Sequence, residues 1–168
     1  MRDQYRYEPY ERSTFFADRQ SSRQPVANTV ARGQLRPDAQ LTTGKDGDQL
    51  VNELPFPATR EVLERGQQRY NVFCAPCHGL SGNGNGVVVQ RGFPAPPSLH
   101  QDRLRDAPVG HYFDVITNGF GRMYPYDYRI PVEDRWAIVA YIRALQLSQN
   151  AQIEDVPPEE RQQLQGAP

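Results

Sequence analysis

The sequence predicts an all-α domain at residues 59–147, with an extended arm before it (1–58) and a short tail after it (148–168). Two observations predict the helices: apolar side chains recur with helical spacing in three segments, and a capping residue marks an end of each segment. A third observation predicts long loops, because glycine and proline are concentrated between these segments, at 79–86 and 92–100. No segment shows a convincing pair of strands.

The composition fits a chain of which one part folds and another does not. The 168 residues include 13 Gly and 15 Pro, which is above the average but below the range of disordered chains. The formal net charge of −1 excludes a strongly basic surface for nucleic acid. No window approaches the run of apolar residues that a transmembrane helix needs. Two cysteines are too few for a disulfide scaffold.

Residues 1–58 are expected to form an extended arm that docks on a partner. Their apolar residues follow neither the helical nor the strand period, and prolines interrupt them at five positions. A disordered tail is the alternative, but it leaves unexplained a group of large side chains: Tyr5, Tyr7, Tyr10, Phe15 and Phe16. The tail at 148–168 carries four acidic residues against Arg161, and we expect it to fray or to bind a partner.

The first predicted helix begins at Arg60, because the Thr59 side chain can cap it and Glu61 lies favourably in the first turn. A stripe of apolar or small residues then follows on one face: Val62, Gly66, Tyr70 and Phe73.

Two further helices complete the predicted domain. One runs from Val109 to Asn118, with Gly119 as its C-terminal stop. The other begins at Pro131, a residue suited to the first helical position, and continues to about Leu147.

The chemistry of the domain is indicated by residues 74–78, which read Cys-Ala-Pro-Cys-His. This is the C-x-x-C-H signature for attachment of c-type haem. The thiols of Cys74 and Cys77 would each add to one haem vinyl group, and His78 would then lie beside the iron as an axial ligand. A thioredoxin-like pair would need a βαβ context, and a zinc site would need two more ligands at compatible spacing. The sequence therefore predicts one covalent haem c.

The second axial ligand is expected to be Met123, the only methionine apart from Met1. It lies in a loop rich in glycine and proline, where a thioether could reach the open face of the haem. His111 is the rival, and His100 is a weaker one. With both axial positions filled by protein, little room is left for O₂ or a substrate, so we expect electron transfer and no catalytic residue. Three guanidinium groups are candidates for the haem propionates: Arg91, Arg122 and Arg129.

These motifs resemble a class I cytochrome c over residues 59–147. The resemblance is carried by the run G-x-x-x-Y-x-x-x-C-A-x-C-H-G, the single loop methionine and a last helix of the form W-x-x-x-x-Y-x-x-x-L. It implies the class I cytochrome c fold, in which helices and long loops surround one haem. It also implies that the first and last helices cross at a group of four residues: Gly66, Tyr70, Trp136 and Tyr141.

The resemblance adds one expectation about His78 and shows one departure. A proline carbonyl is expected to accept a hydrogen bond from the histidine ring, and the available prolines are Pro94, Pro96 and Pro97. Many class I members have proline directly after the methionine ligand, whereas Tyr124 intervenes here.

A closer resemblance is carried by the stretch RQPVANTVARG at 23–33 together with the haem domain. It resembles the monohaem cytochrome c subunit of bacterial alternative complex III, a membrane quinol:electron-acceptor oxidoreductase. The resemblance implies other subunits of that complex as partners, among them a multihaem cytochrome c, and a downstream electron acceptor. It also implies the periplasmic side of the membrane, with a lipid anchor on residues outside this sequence. A free periplasmic shuttle and a domain serving a dehydrogenase or peroxidase are the alternatives.

Overall fold

The computed structural model describes residues 4–23, 26–32 and 38–165. The chain divides into two compact units, Met1–Pro37 and Asp38–Pro168. Part of the stretch at 23–33 that carries the closer resemblance lies outside the described residues.

The described part of the first unit is a chain of turns and bends. Arg12 and Gln20 form an isolated antiparallel bridge, and Ser13 is fully buried beneath it. The Phe16 ring packs edge-on against Phe15 with 4.9 Å between ring centroids. Most of the large side chains that suggested a docking arm are exposed: Tyr5, Tyr7, Tyr10 and Phe15.

The second unit begins earlier than the sequence predicts. Residues 38–58 were expected to belong to the arm, but they contain helix α1 (Ala39–Thr43) and a hairpin of β1 (Lys45–Asp46) and β2 (Gln49–Leu50). Lys45 pairs with Leu50 and Asp46 with Gln49 in this antiparallel hairpin. The predicted boundary at 58 therefore differs from the structural boundary at Pro37.

Packing explains why residues 38–58 belong to the second unit. The backbone N–H of Gly110 donates to the Val51 carbonyl at 2.9 Å, and Lys45 forms an ion pair with Asp114 at 3.2 Å. Four partly buried apolar side chains of this segment also pack against the core: Leu41, Val51, Leu54 and Phe56.

The three predicted helices are present as α2 (Arg60–Phe73), α6 (Val109–Asn118) and α7 (Val132–Asn150). Thr59 caps α2 as expected, and its hydroxyl accepts from the Val62 N–H at 3.4 Å. Pro131 caps α7 from just outside the helix, and α7 extends three residues beyond Leu147.

Short helices fill the connections. The described chain also contains α3 (Ala75–His78), α4 (Val87–Gln90), α5 (Asp102–Arg105), a 3₁₀ turn at Ile153–Asp155 and α8 (Pro158–Gln165). The tail is thus more ordered than the fraying that its composition predicts. Among the described residues, no helix combines the length and apolar character needed to cross a membrane.

Helices α2 and α7 cross at Gly66. A Cβ atom on Gly66 would lie 2.0 Å from the Ala137 carbonyl oxygen, so the two backbones can touch only because glycine has no side chain. Tyr70 and Trp136 are fully buried beside this point, and the rings of Tyr70 and Tyr141 are 5.4 Å apart. The crossing that the class I resemblance implies is therefore found in the structure.

An ion pair fastens one side of the crossing. The Arg65 guanidinium binds both carboxylate oxygens of Asp134, at 2.7 and 2.9 Å, and Arg69 reaches the same carboxylate at 3.1 Å. A bidentate arrangement of this kind fixes orientation as well as distance. It sets the first turn of α7 against the middle of α2.

Candidate functional site

The C-x-x-C-H motif continues α2 with hardly a break. Cys74 has helical backbone angles, and its N–H donates to the Tyr70 carbonyl at 2.8 Å; the His78 N–H then donates to the Cys74 carbonyl at 2.8 Å. Because residues three and four apart on a helix are neighbours, Cys77 and His78 lie on the same face as Cys74. Helical spacing thus places the two cysteines and the histidine on one face of this stretch.

Both cysteines are free thiols and partly buried. Burial and the neighbouring Cys77 raise the pKa of the Cys74 thiol to about 12. In addition, no cluster of three or more His, Cys, Asp and Glu within the described ranges could hold a metal ion. The structure thus groups no further zinc ligands around the two thiols in this part of the chain.

His78 has the properties of an axial ligand. Burial lowers the pKa of its imidazole, which favours the neutral ring that can bind iron. Its Nδ1 atom is buried and has no hydrogen-bond partner in the described part of the chain. None of the candidate prolines supplies the expected acceptor; Pro96 instead contacts the loop after the motif through its carbonyl oxygen. The ring therefore lacks the second hydrogen bond that the resemblance implies for a histidine ligand.

The glycine-rich loop at 79–86 wraps around the motif in backbone contact. The N–H groups of Gly84 and Gly86 donate to the carbonyls of His78 and Cys77, at 2.7 and 3.0 Å. A Cβ on Gly86 would lie 2.2 Å from the Pro76 oxygen, so a side chain has no space there. The loop therefore needs glycine to approach the motif, which is a packing reason for the composition seen in the sequence.

Met123 lies in a tight loop between α6 and α7. It is partly buried against the hydrophobic core, and its backbone exchanges two hydrogen bonds with Phe120, at 2.9 and 3.0 Å. Gly121, with φ of +59°, lies in the two-residue turn between the bridged residues. The methionine is thus held by its backbone, and its side chain faces the core rather than solvent.

Tyr126 connects the methionine loop with the motif. Its ring packs edge-on against Phe73, the last residue of α2, with 6.4 Å between centroids. Burial raises the pKa of Tyr126, and the nearby Cys77 and Cys74 raise it further. The loop that carries Met123 therefore lies close to the cysteine thiols. Sequence reasoning did not identify Tyr126, because a tyrosine among glycine and proline gives no periodic signal.

The rival ligands lie in other settings. The His100 ring is 2.6 Å from the Ser81 carbonyl oxygen through Nε2, so it fastens the glycine-rich loop. His111 is partly buried on α6 with its ring 5.7 Å from that of Tyr112. Among the propionate candidates, the Arg129 guanidinium stacks over the Tyr128 ring at 5.0 Å. Arg91 and Arg122 are exposed.

A buried arginine was also missed by sequence reasoning. Arg135 is only 6% exposed, although it follows two acidic residues in the first turn of α7, where a charged run is typical of a solvated face. Its guanidinium donates to the Ile130 carbonyl and to the Thr117 hydroxyl. No signal in the sequence distinguishes it from an exposed arginine.

Comparisons with known proteins point to the same domain. Residues 61–142, 82 of the 168, match the family described as cytochrome C oxidase, cbb3-type, subunit III. This match includes the C-x-x-C-H motif, Met123 and the helix crossing, and it supports a class I cytochrome c domain with haem c. A comparison with curated proteins gave no match.

Two solved structures are similar to the chain at low identity. One is the reducing HAO-like protein complex of Kuenenia stuttgartiensis, at 21% identity and a TM-score of 0.48, with 58% of this chain and 49% of that chain covered. This chain thus spans about half the length of that one. The other is cytochrome CL from Methylophaga aminisulfidivorans, at 18% identity and a TM-score of 0.47, with 80% and 83% covered.

Proposed function

Starting from a class I cytochrome c domain at residues 61–142, we propose that the protein transfers single electrons through one covalent haem c. Cys74 and Cys77 would form the two thioethers, and His78 and Met123 would be the axial ligands. The observation that carries this proposal is the helical turn at the motif, in which Cys77 and His78 follow Cys74 by three and four residues and so share its face.

The bound haem supplies a one-electron Fe³⁺/Fe²⁺ couple. The chain's own residues set its properties. The neutral imidazole of His78 donates to the metal, and the soft thioether of Met123 raises the reduction potential. Because His78 and Met123 would both bind the haem iron, no ligand position would remain for a substrate, and the protein would act as an electron carrier rather than as an enzyme by itself.

The same proposal extends to a membrane complex. The chain serves as the monohaem subunit of a quinol oxidoreductase of the alternative complex III type, on the periplasmic side of the membrane. Its partners are the other subunits, including a multihaem cytochrome c, and a periplasmic acceptor or terminal oxidase. Support comes from the resemblance at 23–33 and from the exposed rings of Tyr5, Tyr10 and Phe15, which offer a contact surface. A lipid anchor belongs to this part of the proposal.

Purification from solubilised membranes tests cofactor and partners together. A tagged full chain is captured, and the eluate is separated and stained for covalent haem. We expect one haem-positive band of the size of this chain and at least one larger haem-positive subunit. If the haem protein eluted alone and gel filtration gave it the size of this single chain, the protein would be a free shuttle. That result would contradict the proposed membership of a complex. Absence of covalent haem from the captured chain would contradict the proposal as a whole.

A further inference from the structure

The buried guanidinium of Arg135 makes two hydrogen bonds that lie at opposite ends of one segment. Its Nε donates to the Ile130 carbonyl at 3.0 Å, and its Nη1 donates to the Thr117 hydroxyl at 2.6 Å. Thr117 is in the last turn of α6, and Ile130 is two residues before α7 begins. The segment between them, 118–129, contains Met123. One side chain therefore ties together the start and the end of the methionine loop.

Both acceptors are themselves fixed. The Thr117 hydroxyl donates to the Phe113 carbonyl at 2.7 Å, which directs its oxygen lone pairs away from α6 and toward the guanidinium. Ile130 is 1% exposed, and its own N–H donates to the Tyr126 carbonyl at 2.9 Å. Each acceptor of Arg135 is thus held in place by a hydrogen bond of its own residue to the backbone.

The electrostatics favour a closed loop. Burial lowers the pKa of Arg135, while the carboxylates of Asp127 and Glu133 oppose this effect. Asp127 belongs to the same segment as Met123. A buried cation is tolerated only while its partners stay in place. Movement of the segment away from α7 would separate the guanidinium from the Ile130 carbonyl and from the Asp127 charge.

We propose that Arg135 is a positioning residue that holds the segment 118–129 closed and thereby keeps the Met123 thioether in the sixth ligand position. This inference rests on the proposed function, because it assumes that Met123 binds the iron. Arg135 does not contact the reacting atoms; it acts through the two ends of the loop.

The chain offers a matched control in Arg143, about two turns further along α7. Its guanidinium donates to the carbonyls of Arg105 and Ala107 and stacks over Tyr112 at 5.1 Å, just as Arg135 stacks over Phe113 at 5.0 Å. The two arginines have the same chemistry and share the helix. Only Arg135 binds the ends of the methionine loop.

Imidazole competition on the haem-loaded full chain tests the inference. Imidazole is titrated into the ferric protein while the weak far-red band of thioether-bound haem is followed. We expect Arg135→Gln, which removes both hydrogen bonds, to bind imidazole about tenfold more tightly than the wild type, a change equivalent to about 1.4 kcal/mol. Arg143→Gln should stay within about twofold. Glutamine is used because a lysine could itself bind the iron.

A second variant covers the case in which Arg135→Gln does not yield haem protein. Thr117→Val removes one end of the link and leaves the charge in place, so we expect imidazole to bind about threefold more tightly. The inference would be overturned if the Thr117 and Arg143 variants behaved alike, or if the two arginine variants shifted imidazole binding equally.

Failure of the ligand assignment gives a different result. In that case the wild type would lack the far-red band and would bind imidazole as tightly as Met123→Ala. That outcome overturns the assignment of Met123 and the role of Arg135 with it, whereas a normal band with unresponsive Arg135 variants overturns only the role of Arg135.

Discussion

The indole nitrogen of Trp136 donates a hydrogen bond of 2.7 Å to the backbone carbonyl of Leu41. The two residues are 95 positions apart, and the bond joins a fully buried residue in the second turn of α7 to the short helix α1. The segment before the haem motif is thereby part of the domain. Because of this hydrogen bond, deletions that end before and after Leu41 should have different effects, although the sequence alone would assign both deletions to the arm.

Deleting residues 1–37 should leave the stability of the haem domain unchanged, whereas deleting residues 1–58 should destabilise it. The longer deletion leaves the Trp136 N–H buried without an acceptor and uncovers the core beneath Leu41, Val51 and Phe56. The expected loss is at least about 3 kcal/mol, from one unsatisfied buried donor and the exposed apolar surface. Urea unfolding of both haem-loaded proteins measures it. Equal midpoints would show that the packing of residues 38–58 contributes little.

The sequence predicts the long elements well, because their signals are local. A 14-residue helix after Thr59 and a 10-residue helix before Gly119 have both a periodic apolar face and a capping residue. The C-x-x-C-H motif needs no tertiary information, since helical spacing alone places its three side chains on one face.

The parts of the fold that the sequence does not predict depend on tertiary contacts. A five-residue helix and strands of two residues are too short to show any period, so residues 38–58 look irregular in the sequence. What fixes them is the indole of Trp136 and the N–H of Gly110, both far along the chain. The burial of Arg135 also depends on tertiary contacts, because Ile130 and Thr117 both lie beside its guanidinium on α7. No local sequence pattern predicts these contacts.

Gly66→Ala should strongly destabilise the domain. The new methyl group would lie 2.0 Å from the Ala137 carbonyl oxygen, and backbone cannot yield as a flexible side chain can. We expect a loss of about 2 kcal/mol or more from overpacking, against the small gain in helix propensity. Asn71→Ala, on an exposed part of α2, is the control and should be nearly neutral. A thermal melt that ranks the two variants in the opposite order would contradict the crossing.

Met123→Ala should abolish the far-red absorption of the ferric protein and lower its reduction potential. Loss of the thioether leaves water or another weak ligand in its place, and thioether ligation is what raises the potential. His111→Ala is the control and should change neither property. Spectroscopy and potentiometric titration measure the effects. If only the histidine variant responded, the sixth position would belong to His111.

Cys77→Ser should leave the haem attached through Cys74 alone. One vinyl group then remains unsaturated, so the reduced α-band of the pyridine haemochrome should shift to the red. The serine hydroxyl fills nearly the same volume as the thiol, so the helical stretch from Tyr70 to His78 should persist in circular dichroism. A wild-type spectrum of free protohaem would contradict covalent attachment, and an unshifted band in the variant would show that Cys77 forms no thioether.

The arm should govern association without affecting the haem. The side chains of Tyr5, Tyr10 and Phe15 are almost fully exposed. Replacing all three with serine removes large apolar area that a partner could cover, and aromatic anchors commonly supply most of the binding energy at an interface. We therefore expect the triple variant to lose co-purification with its membrane complex while its haem spectrum and unfolding midpoint stay unchanged.

A matched control separates this effect from a general loss of surface hydrophobicity. Val72 is an exposed apolar residue on α2, and Val72→Ser should leave co-purification intact. If the arm variant co-purified in full yield, these rings would not be the docking surface. If it instead lost its axial ligand or melted at lower temperature, the arm would act on the haem domain, because an element that orders only on a partner cannot change the stability of the isolated protein.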